Sequence, residues 1–264
     1  MSGNPSPAGI GAILLDIEGT TTPIAFVTQV LFPYARQHLR SHLEEHAHSP
    51  AYGTVIAAFR SEHSADVLRG EPVPEWVDEP EPARLASVAA YVEWLMDRDR
   101  KSSALKELQG RIWDAGYQRG ELVGEVFPDV PGALRHWQDR QVPVGIFSSG
   151  SVQAQQLLFR HSSAGDLTPF LRWYFDTRVG AKAERESYRT IARALGLSPG
   201  AILFVSDITR ELTAARAAGM QVRLSVRPGN APQPEGHGFE PITSLADIWR
   251  MDSPSPREPL ASAD

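Results

Sequence analysis

The stretch Gly11-Ala-Ile-Leu-Leu-Asp16 decides the fold class, because it is a short apolar run that ends in a carboxylate. Gly19 and three threonines follow it closely. Such a run is typical of a buried strand in a parallel sheet, although its length alone also fits a turn of helix. Similar apolar runs recur far downstream, at residues 142–147, 173–175, 201–205 and 221–226.

Helical patterns lie between these apolar runs. Their apolar residues recur near a 3.6-residue period, and the patterns span residues 152–159, 186–195 and 210–218. Gly196 is expected to be the C-cap of the second helix, and Gly219 ends the third. Alternating strands and helices predict an α/β fold with a parallel sheet. This fold is expected to cover residues 10–24 and 127–248.

Residues 25–126 have a different pattern, because they indicate helices throughout. The predicted helices span residues 26–45, 54–68, 82–97 and 104–115. We interpret this segment as a helical cap that is inserted after the first strand and lies over the sheet as a lid. The polar chain ends, residues 1–9 and 252–264, are expected to be disordered.

The composition indicates a soluble globular protein. Its 264 residues are 42% hydrophobic and 22% charged, which is enough to bury a core without cross-links. Cysteine is absent, which excludes disulfides, thiolate metal sites and cysteine nucleophiles. The formal charge of −6 argues against a general nucleic-acid binder. No apolar run is long enough to span a membrane, and the start lacks a signal peptide's basic segment, so we expect a cytoplasmic protein.

Three polar side chains are expected to meet at one edge of the sheet. Asp16, Ser148 and Asp207 each follow an apolar run, and open α/β sheets bind ligands at the carboxyl ends of their strands. Taken singly, each residue is explained as a cap of the following turn, and Lys182 as a surface lysine. Their combination favours a catalytic site, because Lys182 is one of three lysines in a chain that otherwise uses arginine.

The residue types at this edge predict phosphoryl transfer. Asp16 can attack phosphorus to form an aspartyl phosphate. Glu18, two residues later, can protonate the leaving oxygen and then activate water. Carboxylates that face a phosphate dianion need a cation, and Asp16 with Asp207 can hold Mg²⁺. Lys182 adds a fixed positive charge.

The phosphate oxygens are expected to bind at the end of a second strand. Ser148 lies there, together with the backbone N–H groups of Ser149 and Gly150, which we place at the start of a helix. Glu211 follows Asp207 by four residues. It is interpreted either as an outer-sphere neighbour of the metal or as an acid favoured by the helix dipole.

Several long strings in this sequence carry a family resemblance. They are Asp16-Ile-Glu-Gly-Thr-Thr-Thr-Pro-Ile24, Asp99-Arg-Lys-Ser102, Gln109-Gly-Arg-Ile-Trp113, Phe147-Ser-Ser-Gly-Ser-Val152 and Val205-Ser-Asp207, with Lys182 between the last two. This order resembles the haloacid dehalogenase superfamily of phosphatases, and more closely the enolase-phosphatases of methionine salvage. Glu18 departs from the aspartate that is usual in the superfamily but agrees with the enolase-phosphatase signature. The resemblance covers residues 11–228 and implies a Rossmann-like sheet core with a helical cap.

The resemblance also implies an activity and a set of site residues. The substrate would be the phosphorylated diketone 2,3-diketo-5-methylthiopentyl 1-phosphate, which is enolised and then dephosphorylated. The product would be the acireductone 1,2-dihydroxy-3-keto-5-methylthiopentene. Asp16, Glu18 and Lys182 would be catalytic, and Asp16, Glu18 and Asp207 would hold one Mg²⁺ per subunit. Lys101 would bind the substrate from the cap, and the enzyme would be a monomer.

Several alternatives stay open on the sequence alone. Glu18 is the first candidate for removing the C1 proton, and a cap residue is the second. The core motifs also fit a phosphatase for another small sugar- or keto-phosphate. A dehalogenase is less favoured, because Glu18 and Asp207 supply the charge that Mg²⁺ needs. A signalling receiver module is opposed by the long insert and by the acid at position 18.

Two patterns in the cap are interpreted as structural. His38, His42 and His46 have a spacing that can bind zinc, but we expect them to form the solvated border of a packed face. Three aromatic residues could line a pocket for a methylthio group, but core packing is expected for at least two of them: Tyr91, Trp94 and Trp113.

Overall fold

The computed structural model describes residues 9–46 and 48–250, which fall into two compact units. One unit, the sheet unit, joins the residues up to Ile24 to those from Gly124 onward. The other unit, the helical unit, is Ala25–Val123. The tails expected to be disordered lie outside the described residues, apart from Gly9. In the described part of the chain, no helix has the length and apolar character needed to cross a membrane.

Within the described residues, the sheet unit contains one sheet of six strands, and all of their pairings are parallel. They are β1 Ala12–Leu15, β2 Val144–Phe147, β3 Leu171–Phe175, β4 Ile202–Ser206, β5 Gln221–Ser225 and β6 Pro241–Ile242. Their order across the sheet is β3-β2-β1-β4-β5-β6. Every residue of β1, β2 and β4 is buried, as expected for central strands that are covered on both faces. The predicted α/β fold with a parallel sheet is therefore confirmed.

Helices connect the strands, as the apolar periodicity predicted. The helices are α1 Ile24–Phe26, α2 Phe32–His46, α3 Pro50–Leu68, α4 Glu81–Asp97, α5 Ser103–Gln118, α6 Val130–Asp139, α7 Val152–Arg160, α8 Arg185–Leu195, α9 Thr209–Ala217 and α10 Asp247–Arg250. Helix α8 buries Tyr188, Ile191 and Ala192 in a core that includes Leu14 of β1. Gly196 ends this helix with a φ of +69°. Glycine adopts that left-handed conformation without steric cost, so the expected C-cap is confirmed.

Helix α6 and strand β6 are among the elements of the sheet unit that the sequence did not predict. Helix α6 buries Val130, Leu134 and Trp137 on one face, but Pro131 and Gly132 in its first turn weaken the helical signal. Strand β6 has two residues, which is too short for an alternating pattern to show. A π-helical segment, Val27–Leu31, also interrupts the first helix expected in the insert.

The helical unit ends at Val123 rather than at residue 126 as expected. The backbone N–H of Gly124 donates to the His161 carbonyl at 2.7 Å, and the Gly124 carbonyl accepts from the Ser163 N–H at 2.8 Å. These hydrogen bonds make Gly124 part of the sheet unit. Their partners lie almost 40 positions away in sequence, so a local sequence pattern could not reveal this boundary.

The helical unit has a core of its own, which contains the three aromatic residues of the cap. All three are buried, and each donates a hydrogen bond within the unit: Tyr91 to Asp66 Oδ2 (2.6 Å), Trp94 to the Pro72 carbonyl (2.9 Å) and Trp113 to the Leu31 carbonyl (2.8 Å). Buried Tyr and Trp side chains find such partners for their polar atoms. Core packing of these residues is therefore confirmed.

The histidine stripe on α2 differs from the expectation at its centre. His42 is buried, with 6% of its surface exposed, and its Nε2 is hydrogen-bonded to the Tyr52 hydroxyl. Because Tyr52 belongs to the next helix, the sequence pattern of α2 alone could not show this partner. His38 and His46 are half-buried, as expected for the border of a packed face. Among the described residues, no group of three or more histidine or acidic side chains is arranged to hold a metal ion.

Candidate active site

The carboxyl edge of the sheet brings together residues from three strands. Strand β1 pairs in parallel with both β2 and β4, and Leu15 at its end is level with a residue near the end of each neighbour. Asp16, Ser148 and Asp207 therefore leave the sheet at the same edge. All three are buried, with 2%, 1% and 4% of their surfaces exposed. A buried carboxylate needs compensating partners, and the contacts of Asp16 supply them.

The Asp16 carboxylate is held on both of its oxygens. Lys182 Nζ lies 2.6 Å from Oδ1, and the Ile17 N–H donates to the same oxygen at 2.7 Å. The Ser206 hydroxyl donates to Oδ2 at 3.2 Å. These contacts fix the orientation of the carboxylate and place a positive charge directly against it.

Lys182 also contacts a second carboxylate, that of Glu211. Its Nζ lies 2.7 Å from Glu211 Oε2, and the Ser206 hydroxyl lies 2.9 Å from the same oxygen. Burial lowers the pKa of Lys182, but the adjacent Asp16 and Glu211 carboxylates outweigh burial and raise this pKa above its usual value. Lys182 is thus a charged group inside the site, and the surface interpretation is excluded. Glu211 lies in the first turn of α9, where the helix dipole favours a negative charge. It also forms an ion pair with Lys182.

Two further carboxyl groups at this edge have strongly shifted pKa values. Burial, followed by the Asp16 charge, raises the pKa of Glu18 to about 7, although Lys182 opposes the shift. Burial, followed by the charges of Asp16 and Glu211, raises the pKa of Asp207 to about 7. A carboxyl with such a pKa exists in both protonation states at neutral pH, which suits a group that must both donate and accept a proton.

A tight turn places Gly19 beside Asp207. The Ile17 carbonyl accepts from three successive N–H groups, those of residues 20–22, at 2.9–3.1 Å. Gly19 has a φ of +68°, and a Cβ at this position would lie 2.5 Å from Asp207 Oδ2 and 2.7 Å from Asn230 Oδ1. Only glycine avoids both the strained φ and this contact. The turn therefore brings its backbone directly against the Asp207 carboxylate.

The start of α8 holds the loop that carries Lys182. The Tyr188 hydroxyl donates to the Lys182 carbonyl at 2.6 Å, and the Ser187 hydroxyl donates to the Ala181 carbonyl at 2.7 Å. Tyr188 is fully buried, so this anchor is continuous with the core. Two residues of the predicted helix, which the sequence analysis did not single out, thus fix the position of the lysine.

The segment expected to bind phosphate oxygens lies between β2 and α7. The Ser148 hydroxyl accepts a hydrogen bond from the Gly150 N–H at 3.1 Å. Helix α7 begins at Val152, as the helical pattern predicted, and the Ser151 hydroxyl caps it. Ser149 and Gly150 lie directly before this capped start.

Lys101 belongs to the helical unit, so it is not among the residues that the sheet brings together. It lies between α4 and α5 and is exposed. Its neighbour Ser102 is the N-cap of α5, and its hydroxyl accepts from the Leu105 N–H at 3.0 Å. The string Asp99–Ser102, which supported the family resemblance, therefore also has a local structural role.

The loop after β5 contacts the turn of Gly19, which the sequence analysis did not foresee. The Ser225 hydroxyl and the Asn230 amide each donate to the Gly19 carbonyl at 3.0 Å. Arg227 Nε donates to the Thr20 carbonyl at 3.3 Å. Within this loop, the Asn230 N–H donates to the Arg227 carbonyl at 3.1 Å. Its contacts span more than 200 residues of sequence, which no local pattern reveals.

The charges at this edge fit a hard divalent cation. Asp16, Glu18, Asp207 and Glu211 face one ammonium, that of Lys182, and their mutual repulsion contributes to the raised pKa values. Carboxylate oxygens are the ligands that Mg²⁺ prefers, and this ion usually takes one or two of them and keeps several waters. A pair of carboxylates, such as Asp16 and Asp207, meets that requirement without a cage made only of protein side chains.

Comparisons with known proteins agree with this geometry. Residues 10–219 match the family model of the haloacid dehalogenase-like hydrolases. The chain is 50% identical over 227 residues to enolase-phosphatase E1 of Synechococcus elongatus, covering 86% of this chain and 93% of that protein. An Arabidopsis thaliana relative, named probable bifunctional methylthioribulose-1-phosphate dehydratase/enolase-phosphatase E1, is 45% identical over 241 residues, which cover 89% of this chain and 47% of that protein.

Solved structures show the same fold. The crystal structure of the UTR4 protein of Saccharomyces cerevisiae has a TM-score of 0.73 and 31% sequence identity, covering 89% of this chain and 98% of that one. A dehalogenase structure has a TM-score of 0.52 at 18% identity. At that identity the likeness extends to the fold alone, because one fold hosts many chemistries.

Proposed function

This chain belongs to the haloacid dehalogenase-like hydrolases and, within them, to the enolase-phosphatase E1 family, so we propose that it is a bifunctional enolase-phosphatase. Its substrate is 2,3-diketo-5-methylthiopentyl 1-phosphate. Enolisation followed by loss of phosphate gives the acireductone 1,2-dihydroxy-3-keto-5-methylthiopentene in methionine salvage. The observation that carries this function is the Asp16 carboxylate, held 2.6 Å from Lys182, with Glu18 beside it at a pKa of about 7.

Phosphate removal proceeds in two displacements at phosphorus. An Asp16 oxygen attacks phosphorus, and the bond from phosphorus to the substrate's C1 oxygen breaks. The protonated form of Glu18 gives its proton to that leaving oxygen. The Glu18 carboxylate then takes a proton from water, which attacks phosphorus, releases phosphate and regenerates Asp16. The raised pKa of Glu18 makes both of its protonation states available at neutral pH.

Binding of the phosphate group uses the fixed charge and donors of the sheet edge. The Lys182 ammonium offsets negative charge as the pentavalent transition state forms. Ser148, Ser149 and Gly150 lie after β2 and supply hydroxyl and backbone N–H donors for phosphate oxygens. Since the Gly150 N–H donates to Ser148 Oγ, phosphate binding there requires this internal hydrogen bond to be exchanged or shared.

Enolisation requires removal of a proton from C1, next to a carbonyl group. The ionised form of Glu18 is the first candidate for this base, because it must approach the C1 oxygen in the later step. Lys101 of the helical unit is proposed to bind the substrate. A residue of the helical unit is the second candidate for the base.

We propose that one Mg²⁺ per subunit binds to Asp16, Glu18 and Asp207, through the carboxylates of Asp16 and Asp207 and the backbone carbonyl of Glu18, which leaves the Glu18 side chain to transfer protons. When bound, the ion neutralises phosphate charge and polarises the substrate carbonyl. The excess of carboxylates over ammonium groups supports this assignment. We also propose that the protein works as a monomer in the cytoplasm, as the resemblance implies.

Simultaneous measurement of phosphate release and enol absorbance, with and without Mg²⁺, tests the function. We expect a transient enol that precedes phosphate, with both steps dependent on Mg²⁺. Asp16→Asn should abolish phosphate release without unfolding the protein, whereas Asp139→Asn, at an exposed position of α6, should leave turnover unchanged.

Other outcomes of this measurement would redirect the assignment. Phosphate release from generic esters, but none from the diketone phosphate, would indicate a phosphatase for another small sugar- or keto-phosphate. Full turnover by Asp16→Asn would exclude Asp16 as the nucleophile. A stable aspartyl phosphate without turnover would indicate a receiver module.

A further inference from the structure

The side-chain amide of Asn230 has a fixed orientation. Its Nδ2 donates to the Gly19 carbonyl at 3.0 Å and to the Ser225 carbonyl at 3.2 Å. Both partners are acceptors, so they must face the amide nitrogen rather than the amide oxygen. The Oδ1 atom is therefore held on the opposite side of the amide.

That oxygen lies in an unusual place. Asn230 Oδ1 is buried and has no hydrogen-bond partner among the described residues. A Cβ built on Gly19 would lie 2.7 Å from this oxygen and 2.5 Å from Asp207 Oδ2. The two oxygens therefore both lie against Gly19, on the same side of the turn. Burying an acceptor without a donor is costly, and the Asp207 carboxylate offers no donor once it is ionised to hold a metal ion.

We propose that Asn230 Oδ1 accepts a hydrogen bond from a water molecule bound to the Mg²⁺ held at Asp207. This inference rests on the proposed function, which places the ion there. Mg²⁺ gives up its waters reluctantly, and those waters are strong donors that need acceptors around them. Asn230 is therefore a positioning residue, which joins the Gly19 turn to the hydration shell of the ion.

A purely structural role for Asn230 makes a different prediction. The Ser225 hydroxyl also donates to the Gly19 carbonyl at 3.0 Å, so Ser225→Ala removes a comparable support from the turn. It removes no acceptor beside Asp207. The pair of variants Asn230→Ala and Ser225→Ala therefore separates support of the turn from contact with the metal-bound water.

The test is a titration of the protein with Mg²⁺ in the absence of substrate. Binding is monitored by calorimetry and by the rise in Tm. Loss of a partner around a metal's ligands typically weakens affinity 10–100-fold. We expect the affinity for Mg²⁺ to fall at least about 10-fold in Asn230→Ala and much less in Ser225→Ala. Asn230→Asp keeps an oxygen at the position of Oδ1 but not the donor to Gly19, so it should bind Mg²⁺ at least as tightly as the parent protein.

Three results would overturn the inference. Equal losses in Asn230→Ala and Ser225→Ala would reduce Asn230 to a support of the turn, and weak binding by Asn230→Asp would lead to the same conclusion. Parent protein that hydrolyses the diketone phosphate without binding Mg²⁺ would show that no metal-bound water is available to Asn230. Parent protein that binds Mg²⁺ but releases no phosphate contradicts the proposed function instead, and the comparison of variants then still decides the role of Asn230.

Discussion

Individual residues at the sheet edge differ in how far the sequence could predict them. Asp16, Ser148 and Asp207 were predictable because each follows an apolar strand, and parallel strands end at one edge. The contacts of Asn230 were not, because its partner Gly19 lies 211 positions away. Lys182 is intermediate: taken alone it would be explained as a surface lysine, whereas its rarity in the chain and the order of the motifs pointed to the site.

Lys182 is expected to support stability as well as chemistry. Its side chain is 10% exposed and contacts both Asp16 and Glu211. Lys182→Met leaves these buried carboxylates without their cation, which typically costs about 3–5 kcal/mol. The free energy of unfolding, measured by urea denaturation at pH 7, should fall by this order. The deficit should shrink at lower pH, as the carboxylates take up protons.

Lys101→Met is the matched control for this prediction. Lys101 is exposed, so its loss should change the free energy of unfolding by no more than about 0.5 kcal/mol. If Lys101 binds the substrate as proposed, the variant should nevertheless turn over the diketone phosphate more slowly. Equal stabilities of the two lysine variants would contradict the buried ion pairs.

His42 should make stability depend on pH between 4 and 6.5. Burial, followed by the charges of His46 and Arg119, lowers the pKa of His42 to about 4, from an ordinary value of about 6.5. The unfolded chain therefore binds a proton in this range that the folded protein does not. Unfolding free energy should fall by about 1–3 kcal/mol as pH drops through the window. His42→Gln should flatten this dependence, whereas a variant at the exposed His48 should retain it.

At the scale of helices and strands, the apolar periodicity and the length of each element decided whether the sequence could predict it. The apolar runs located β1 to β5, and Gly196 located the end of α8. Strand β6 was missed because two residues carry no alternation, and α6 because Pro131 and Gly132 mask its first turn. The helical pattern also placed the start of α7 correctly at Val152, directly after the capping Ser151.

The cap of α5 gives a test at this scale. The Ser102 hydroxyl accepts from the Leu105 N–H at 3.0 Å, and removal of such a cap costs about 1 kcal/mol. Ser102→Ala should lower the free energy of unfolding by that order in urea denaturation followed by tryptophan fluorescence. Ser103→Ala, at the exposed first residue of the helix, should change it far less. Equal effects would show that the hydroxyl of Ser102 does not act as a cap.

At the scale of the whole molecule, a backbone hydrogen bond within the sheet unit joins the two chain segments that flank the helical unit. The Phe127 N–H donates to the Thr21 carbonyl at 2.9 Å, so the chain leaves and re-enters this unit at adjacent points. A short Gly/Ser linker in place of residues 25–123 should therefore leave the sheet unit folded. We expect a cooperative urea transition and a Tm that rises with Mg²⁺. Turnover of the diketone phosphate should be lost with Lys101, and a broad, non-cooperative transition would show that the sheet unit cannot fold alone.

The central place of β1 in the sheet has a consequence for synthesis on the ribosome. The strand is translated before its two neighbours, β2 and β4, which begin only at Val144 and Ile202. The entire helical unit is translated before β1 can acquire a partner. Helices form through local contacts and fold early, whereas parallel pairing must close long loops and comes late. The nascent chain therefore folds its inserted domain while β1, the strand directly before the proposed nucleophile Asp16, still lacks a partner strand.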